Sequence, residues 1–283
     1  MTVAERNNLY CAGYVQNSPI DTGRTIVGAV DEQDGYIYSG NDVFYVNAGA
    51  SSGVQVGDVM SVIRPRGQVK TRWTKKGHLG NFIQEVGSVE IIRVKQNVSV
   101  ARVKTSCSSI LLGDIVQPSQ VRVSPMYTQR PALDLFADPS GKATGRLFMA
   151  RDGVDMITRD NIVYVDLGAE DNVQVGDHLT IFRPLGTGNL FHSNENESVS
   201  ARSDGFESEQ YHGGKFSNQT ARKSGAQSRG KVVTTNRAKE GRPNDLRKVV
   251  GEMVVLNVKE RTATAVITRT AQEIHPGDWV EVQ

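Results

Sequence analysis

The side chains in this sequence that could do chemistry are two cysteines, five histidines and the aspartates of four Gly-Asp pairs. Cys11 and Cys107 lack CxxC spacing, which excludes a zinc ribbon and leaves free thiols or one disulfide. A bridge across so long a loop would add about 4–5 kcal/mol in the chain-entropy model, less any strain. It would also pin the N-terminal residues and place the protein in an oxidising compartment. The bridged, exported reading is carried forward, with two thiols in a reducing cytosol as its alternative. His78, His178, His192, His212 and His275 show no metal-ligand spacing, and Glu195 and Glu197 near His192 suggest only adventitious metal contact. The run Asp138-Pro139-Ser140-Gly141-Lys142-Ala143 hints at a phosphate loop. It has Phe136 where a Walker loop needs Gly and Ala143 where it needs Ser or Thr. G-x-S-x-G, H-E-x-x-H and EF-hand patterns are absent. No catalytic residue, metal or cofactor is therefore expected, and the chain reads as a non-enzyme.

The Gly-Asp pairs recur because the chain itself does. Val46-Asn47-Ala48-Gly49-Ala50, Val54-Gln55-Val56-Gly57-Asp58 and Arg64-Pro65 return as Val165-Asp166-Leu167-Gly168-Ala169, Val173-Gln174-Val175-Gly176-Asp177 and Arg183-Pro184. A second phrase pairs Gly87, Val94, Ala101, Val103, Ile110, Gly113-Asp114 and Val116 with Gly251, Val258, Ala265, Ile267, Ile274, Gly277-Asp278 and Val280. Repetition on this scale, about a hundred residues per copy, makes each copy a domain-sized unit. In each Gly-Asp pair, Gly supplies the positive φ of a tight turn and Asp bonds back onto the turn amides. Gly53 is matched by Asn172, the substitution a left-handed position tolerates. The twelve turn residues Gly49, Gly53, Gly57, Asp58, Gly113, Asp114, Gly168, Asn172, Gly176, Asp177, Gly277 and Asp278 are read as structural.

What must position these residues is mainly β. Tyr36–Tyr38, Val43–Val46, Val59–Ile63, Val86–Val94 and Val98–Val103 are β-branched or aromatic runs separated by Gly, Asn, Asp and Ser clusters. The expected organisation is a leader at 1–21, a β-barrel module at 22–123, a Pro-containing linker at 124–143, and a second barrel module at 144–283. Both modules are expected to be small and antiparallel. Thr144-Gly145-Arg146 echoes Thr22-Gly23-Arg24 at their starts. Residues 186–245 form a long irregular insert in the second, acidic in its first half and basic in its second. Residues 1–10 are polar and no stretch is long and apolar enough to span a bilayer. The sequence reads as one whose signal is missing or already removed, although a cytoplasmic location stays open.

The net charge of +2 is too small to imply a polyanionic partner. The candidate partner-binding residues are Arg72, Trp73, Lys75 and Lys76 in a basic hairpin, with Arg222, Lys223 and Arg229 in the insert. They support two readings: docking of another protein, or a nucleic-acid-binding barrel using hairpin 70–78 and the basic half of the insert.

The pattern of a V-x-N/D-x-G turn, then G/N-V-x-x-G-D, an apolar strand and a closing Arg resembles the C-terminal domain of flagellar assembly protein T. Related small β-barrels accompany LysM peptidoglycan-binding domains in bacterial envelope proteins. Val46 to Arg64 carries the resemblance once and Val165 to Arg183 carries it again. The resemblance implies a non-catalytic barrel in a periplasmic assembly, and a partner that is an envelope protein or a peptidoglycan-associated component. This chain differs by tandem duplication and by its insert.

Overall fold

The computed structural model describes residues 2–5, 9–31, 38–185, 243 and 246–283. The strand expected at Tyr36–Tyr38 lies outside them except for Tyr38. So does the insert, apart from residue 243. The chain divides into two compact units, one of Met1–Phe182 with Val249–Gln283 and one of Arg183–Lys248. In the smaller unit the Leu185 amide donates to the Leu246 carbonyl at 3.0 Å.

Thirteen strands lie among the described residues: β1 (Tyr14–Gln16), β2 (Ile26–Ala29), β3 (Val43–Val46), β4 (Val59–Gln68), β5 (Asn81–Val94), β6 (Ser99–Ser106), β7 (Ile115–Pro118), β8 (Thr144–Ala150), β9 (Ile162–Val165), β10 (His178–Pro184), β11 (Arg247–Val258), β12 (Ala263–Thr270) and β13 (Trp279–Val282). The second module closes as an antiparallel barrel in the order β10-β11-β12-β9-β8-β13. The first has the same order under the repeat, β2-β3-β6-β5-β4-β7, with β1 added beside β5. The duplication is thus a duplication of topology as well as of turn residues.

The expectation of two closed barrels holds for the second module alone. In the first, β2 and β7 meet at one bridge, Thr25 with Ile115, instead of forming a ladder. Around that bridge the Val116 amide donates to the Arg24 carbonyl at 2.9 Å and the Ile26 amide to the Asp114 carbonyl at 3.0 Å, and just before them the Asp21 carboxylate accepts the Gly23 amide at 2.9 Å. In the second module Thr144, Gly145 and Arg146 all pair with β13. The structural counterpart of Arg146 is Thr25, because the Asn47 amide bonds the Thr25 carbonyl as the Asp166 amide bonds that of Arg146. The echo between the module starts is therefore shifted by one residue.

Each module has its own core: Phe44, Val62, Val89 and Ile91 are wholly buried in the first, and Leu147, Ile181, Met253 and Ile267 in the second. Inward positions alternate as the pleat requires. Yet β9 is buried at every position and β12 over most of its length. The outer face is covered by the N-terminal residues, where Ala4, Leu9 and Ala12 pack on Ile162, Leu256 and Val266. Residues 14–16, inside the stretch read as a leader, are strand β1, with Tyr14 opposite Ile83 and Gln16 opposite Asn81.

Candidate functional site

The four Gly-Asp turns share one geometry. The carboxylates of Asp58, Asp114, Asp177 and Asp278 accept the amides of Gln55, Leu111, Gln174 and His275 at 2.8, 2.8, 2.8 and 2.9 Å. The preceding Gly57, Gly113, Gly176 and Gly277 have φ of 92, 91, 95 and 101°. Gly53 and Asn172 both stand in the left-handed region, closing the short 3-10 turns that follow Gly49 and Gly168. Gly49 and Gly168 lie against backbone of 95–98 and 259–261, where a β-carbon would collide. Asp114 has a second role, since Arg64 grips it with two nitrogens at 2.7 and 2.8 Å. Arg64, which the sequence pattern placed at a strand end, lies inside β4, which runs on to Gln68, and it ties the first module's two repeat phrases together.

The basic hairpin between β4 and β5 is held against the second module. Lys76 pairs with Glu170 at 2.5 Å and Asp171 at 2.6 Å, and Arg261 donates to the His78 carbonyl at 2.5 Å. Trp73 is half-buried and lies on Gly277, with the Arg72 guanidinium 4.4 Å from its ring centre. Of the four candidate residues here, Arg72 and Lys75 remain exposed. Arg222, Lys223 and Arg229 lie outside the described residues, as do His192 and His212. Ser140, in the phosphate-loop-like run, donates its amide to Glu281 at 3.0 Å. Among the described residues, no group of three or more His, Cys, Asp or Glu converges as metal ligands.

Cys11 and Cys107 form a disulfide with Cα atoms 5.5 Å apart. The segment it anchors carries the groups that sequence reading missed. Its Ala12 carbonyl accepts the buried Tyr164 hydroxyl at 2.6 Å, while the Gly13 and Val15 carbonyls accept Thr264 and Thr262 at 3.1 and 2.7 Å. Burial pushes the Tyr164 hydroxyl far above its ordinary pKa. The Gly13 amide donates to Glu85 at 3.0 Å, and Arg122 takes both oxygens of Glu85 at 2.6 and 2.9 Å. Gly13 has φ 68°, and a β-carbon there would meet the Ile83 carbonyl at 2.9 Å.

Beside this pair lies a cavity of about 320 Å³ whose wall includes Tyr14, Ser61, Gln117, Gln120, Arg122 and Lys259. Lys259 reaches in from the β11–β12 turn, its ammonium 4.3 Å from the centre of the Tyr14 ring. Desolvation lowers its pKa first and the Arg122 charge lowers it further, against a raising influence from Glu85. Burial likewise raises the Tyr14 hydroxyl, opposed by the amide it accepts from Gln117 at 2.9 Å.

A second charge centre stands on β11. Glu252 is buried on the barrel's outer face and pairs with Arg130 and Arg269. His178 Nδ1 donates to the same carboxylate at 2.5 Å, which leaves the hydrogen on Nδ1. Desolvation, then Arg130 and Arg269, lowers the His178 pKa. The space beside this centre is about 10 Å³, room for about one water. The corresponding place in the first module holds Val59, Ser88 and Thr105, with the two hydroxyls 2.6 Å apart, on a cavity of about 370 Å³. The signal that could have found both centres is the mismatch between copies: Ser88 against Glu252, Thr105 against Arg269, Val59 against His178, Glu85 against Val249.

The fold and these centres define a mainly β protein of two repeated modules, with one disulfide tying the N-terminal segment to the first and buried charge centres at Glu85 and Glu252. No family model matches the chain, and no curated protein matches it.

Proposed function

We propose that this chain is a non-catalytic binding or assembly module of the bacterial cell envelope, periplasmic or exported, built from two modules of one strand order. The observation that carries the reading is the Cys11–Cys107 disulfide, which fixes a segment that both modules use. Bridges of this structural kind persist where thiols are not kept reduced. Matching seam bonds support the common module type. The Ile26 amide donates to Asp114 as the Leu147 amide does to Asp278, and the Gly113 amide donates to Ile26 as the Gly277 amide does to Leu147. The resemblance to the flagellar assembly protein T C-terminal domain points the same way. The test is rapid thiol trapping in producing cells followed by mass spectrometry. A Cys11–Cys107 bridge in the trapped chain supports export; two alkylated thiols overturn it. Capture of an envelope protein or peptidoglycan fragment by the purified chain, compared with a chain lacking residues 186–245, then shows whether barrels or insert carry the binding.

A further inference from the structure

The cavity bounded by Tyr14, Arg122 and Lys259 has an unbalanced charge. Glu85 is fully engaged, with both oxygens on Arg122 and one also on the Gly13 amide, so the two opposite charges neutralise each other. Among the described residues, the Lys259 ammonium makes no ion pair; its contact is the Tyr14 ring. A half-buried cation without a counter-ion is costly, and an anion entering the cavity would relieve that cost. The rest of the wall offers neutral hydrogen-bonding groups, the Gln117 and Gln120 amides and the Ser61 hydroxyl among them. Its volume falls at the small end of ligand sites. A cation at one point and amides and hydroxyls around it suit a ligand with one anionic group on a hydroxyl-bearing body.

We propose that this cavity binds an anionic sugar, with Lys259 taking the carboxylate or phosphate and the amide and hydroxyl wall taking the ring hydroxyls. The lowered pKa of Lys259 fits a cation that lacks its counter-ion. The site deepens the binding role proposed above, yet the two can fail separately. Sugar binding is read on the purified chain alone, whereas the envelope role is read from thiol state and partner capture.

The experiment is isothermal titration of the full chain with glucuronate, glucose 6-phosphate, glucose and inorganic phosphate. At least one anionic sugar is expected to bind about tenfold or more tightly than glucose, as a charged hydrogen bond would give. Comparing the glucuronate and glucose 6-phosphate arms tells carboxylate from phosphate. Lys259→Gln should weaken the bound anion by about tenfold or more. Gln120→Glu, on the exposed rim and hence harmless to folding, should weaken it too while melting like the parent. Failure of both anionic sugars to saturate, or glucose binding as tightly as they do, overturns the site. So does unchanged affinity in variants that melt normally. Inorganic phosphate binding as tightly as the sugars would overturn the sugar assignment.

Discussion

Trp73 lies against Gly277, with three atoms of its six-membered ring 2.8, 2.8 and 2.9 Å from where a β-carbon on that glycine would stand. The residue at the tip of one module's hairpin thus covers the final Gly-Asp turn of the other. Two demands meet at Gly277: a φ of 101° and an aromatic ring with no room beneath it.

Gly277→Ala should therefore cost more than a left-handed residue alone, about 2 kcal/mol or more against a usual 1–2. Urea unfolding measures it. In a Trp73→Ala background the same substitution should cost less, because the clash is gone while the backbone strain remains. Equal costs in both backgrounds would mean that the ring does not press on the turn.

Removing the charge at Glu252 should be far more damaging than removing the hydroxyl at its counterpart. Glu252→Gln leaves Arg130 and Arg269 facing each other across a buried site, at about 3 kcal/mol, the low end for a broken buried pair since both arginines are partly exposed. Ser88→Ala removes one neutral hydrogen bond to Thr105 and should cost about 1 kcal/mol. Chemical denaturation of the two variants gives the comparison.

His178 makes stability pH-dependent in a definite direction. Its folded pKa lies below the ordinary 6.5, so as pH falls through that value the unfolded chain takes up a proton that the folded chain refuses. The His178 contribution is complete above 6.5 and is lost on acidification towards the folded pKa. Arg130, Arg269, Asp177 and Glu252 set that shift or contact the ring. His178→Val, which copies the residue at Val59, should flatten the melting temperature against pH as pH falls below about 6.5. An unchanged slope would remove His178 as its source.

The double variant Cys11→Ser with Cys107→Ser closes no covalent loop and should lose about 4–5 kcal/mol, the chain-entropy value for a loop of this length. The segment around Ala12 to Gln16 should then be cleaved sooner by a protease, since its remaining hold is hydrogen bonds and packing. Limited proteolysis of oxidised and reduced protein reads both effects together.

The parts of this structure legible in the sequence were those that repeat. Gly57-Asp58 and its three partners stand out because a turn that needs positive φ and an amide acceptor admits few residues. Strands β3 to β6 stand out because their buried positions follow the pleat. The bridge between Cys11 and Cys107 was one of two options that spacing left open. The lining of the cavity was not legible, because Tyr14, Glu85, Arg122 and Lys259 are far apart in sequence, and Lys259 is matched by Lys95 in the other copy, so no mismatch between copies marks it. The strand at 14–16 was also hidden, since it is three residues long and its apolar side chains pack partly onto a neighbouring module instead of following a repeat.

Residues 12–16 belong to two structures at once. Their strand is zipped to β5, while their carbonyls are held by Tyr164, Thr262 and Thr264 of the other module. A tensile load drawing the modules apart would reach this splice as well as the linker, and the disulfide beside it would stop the strand from peeling back past Cys11. The pair would answer such a load as one stiff link, with yielding set by this splice and the hairpin contacts, not by slack in the chain between the modules.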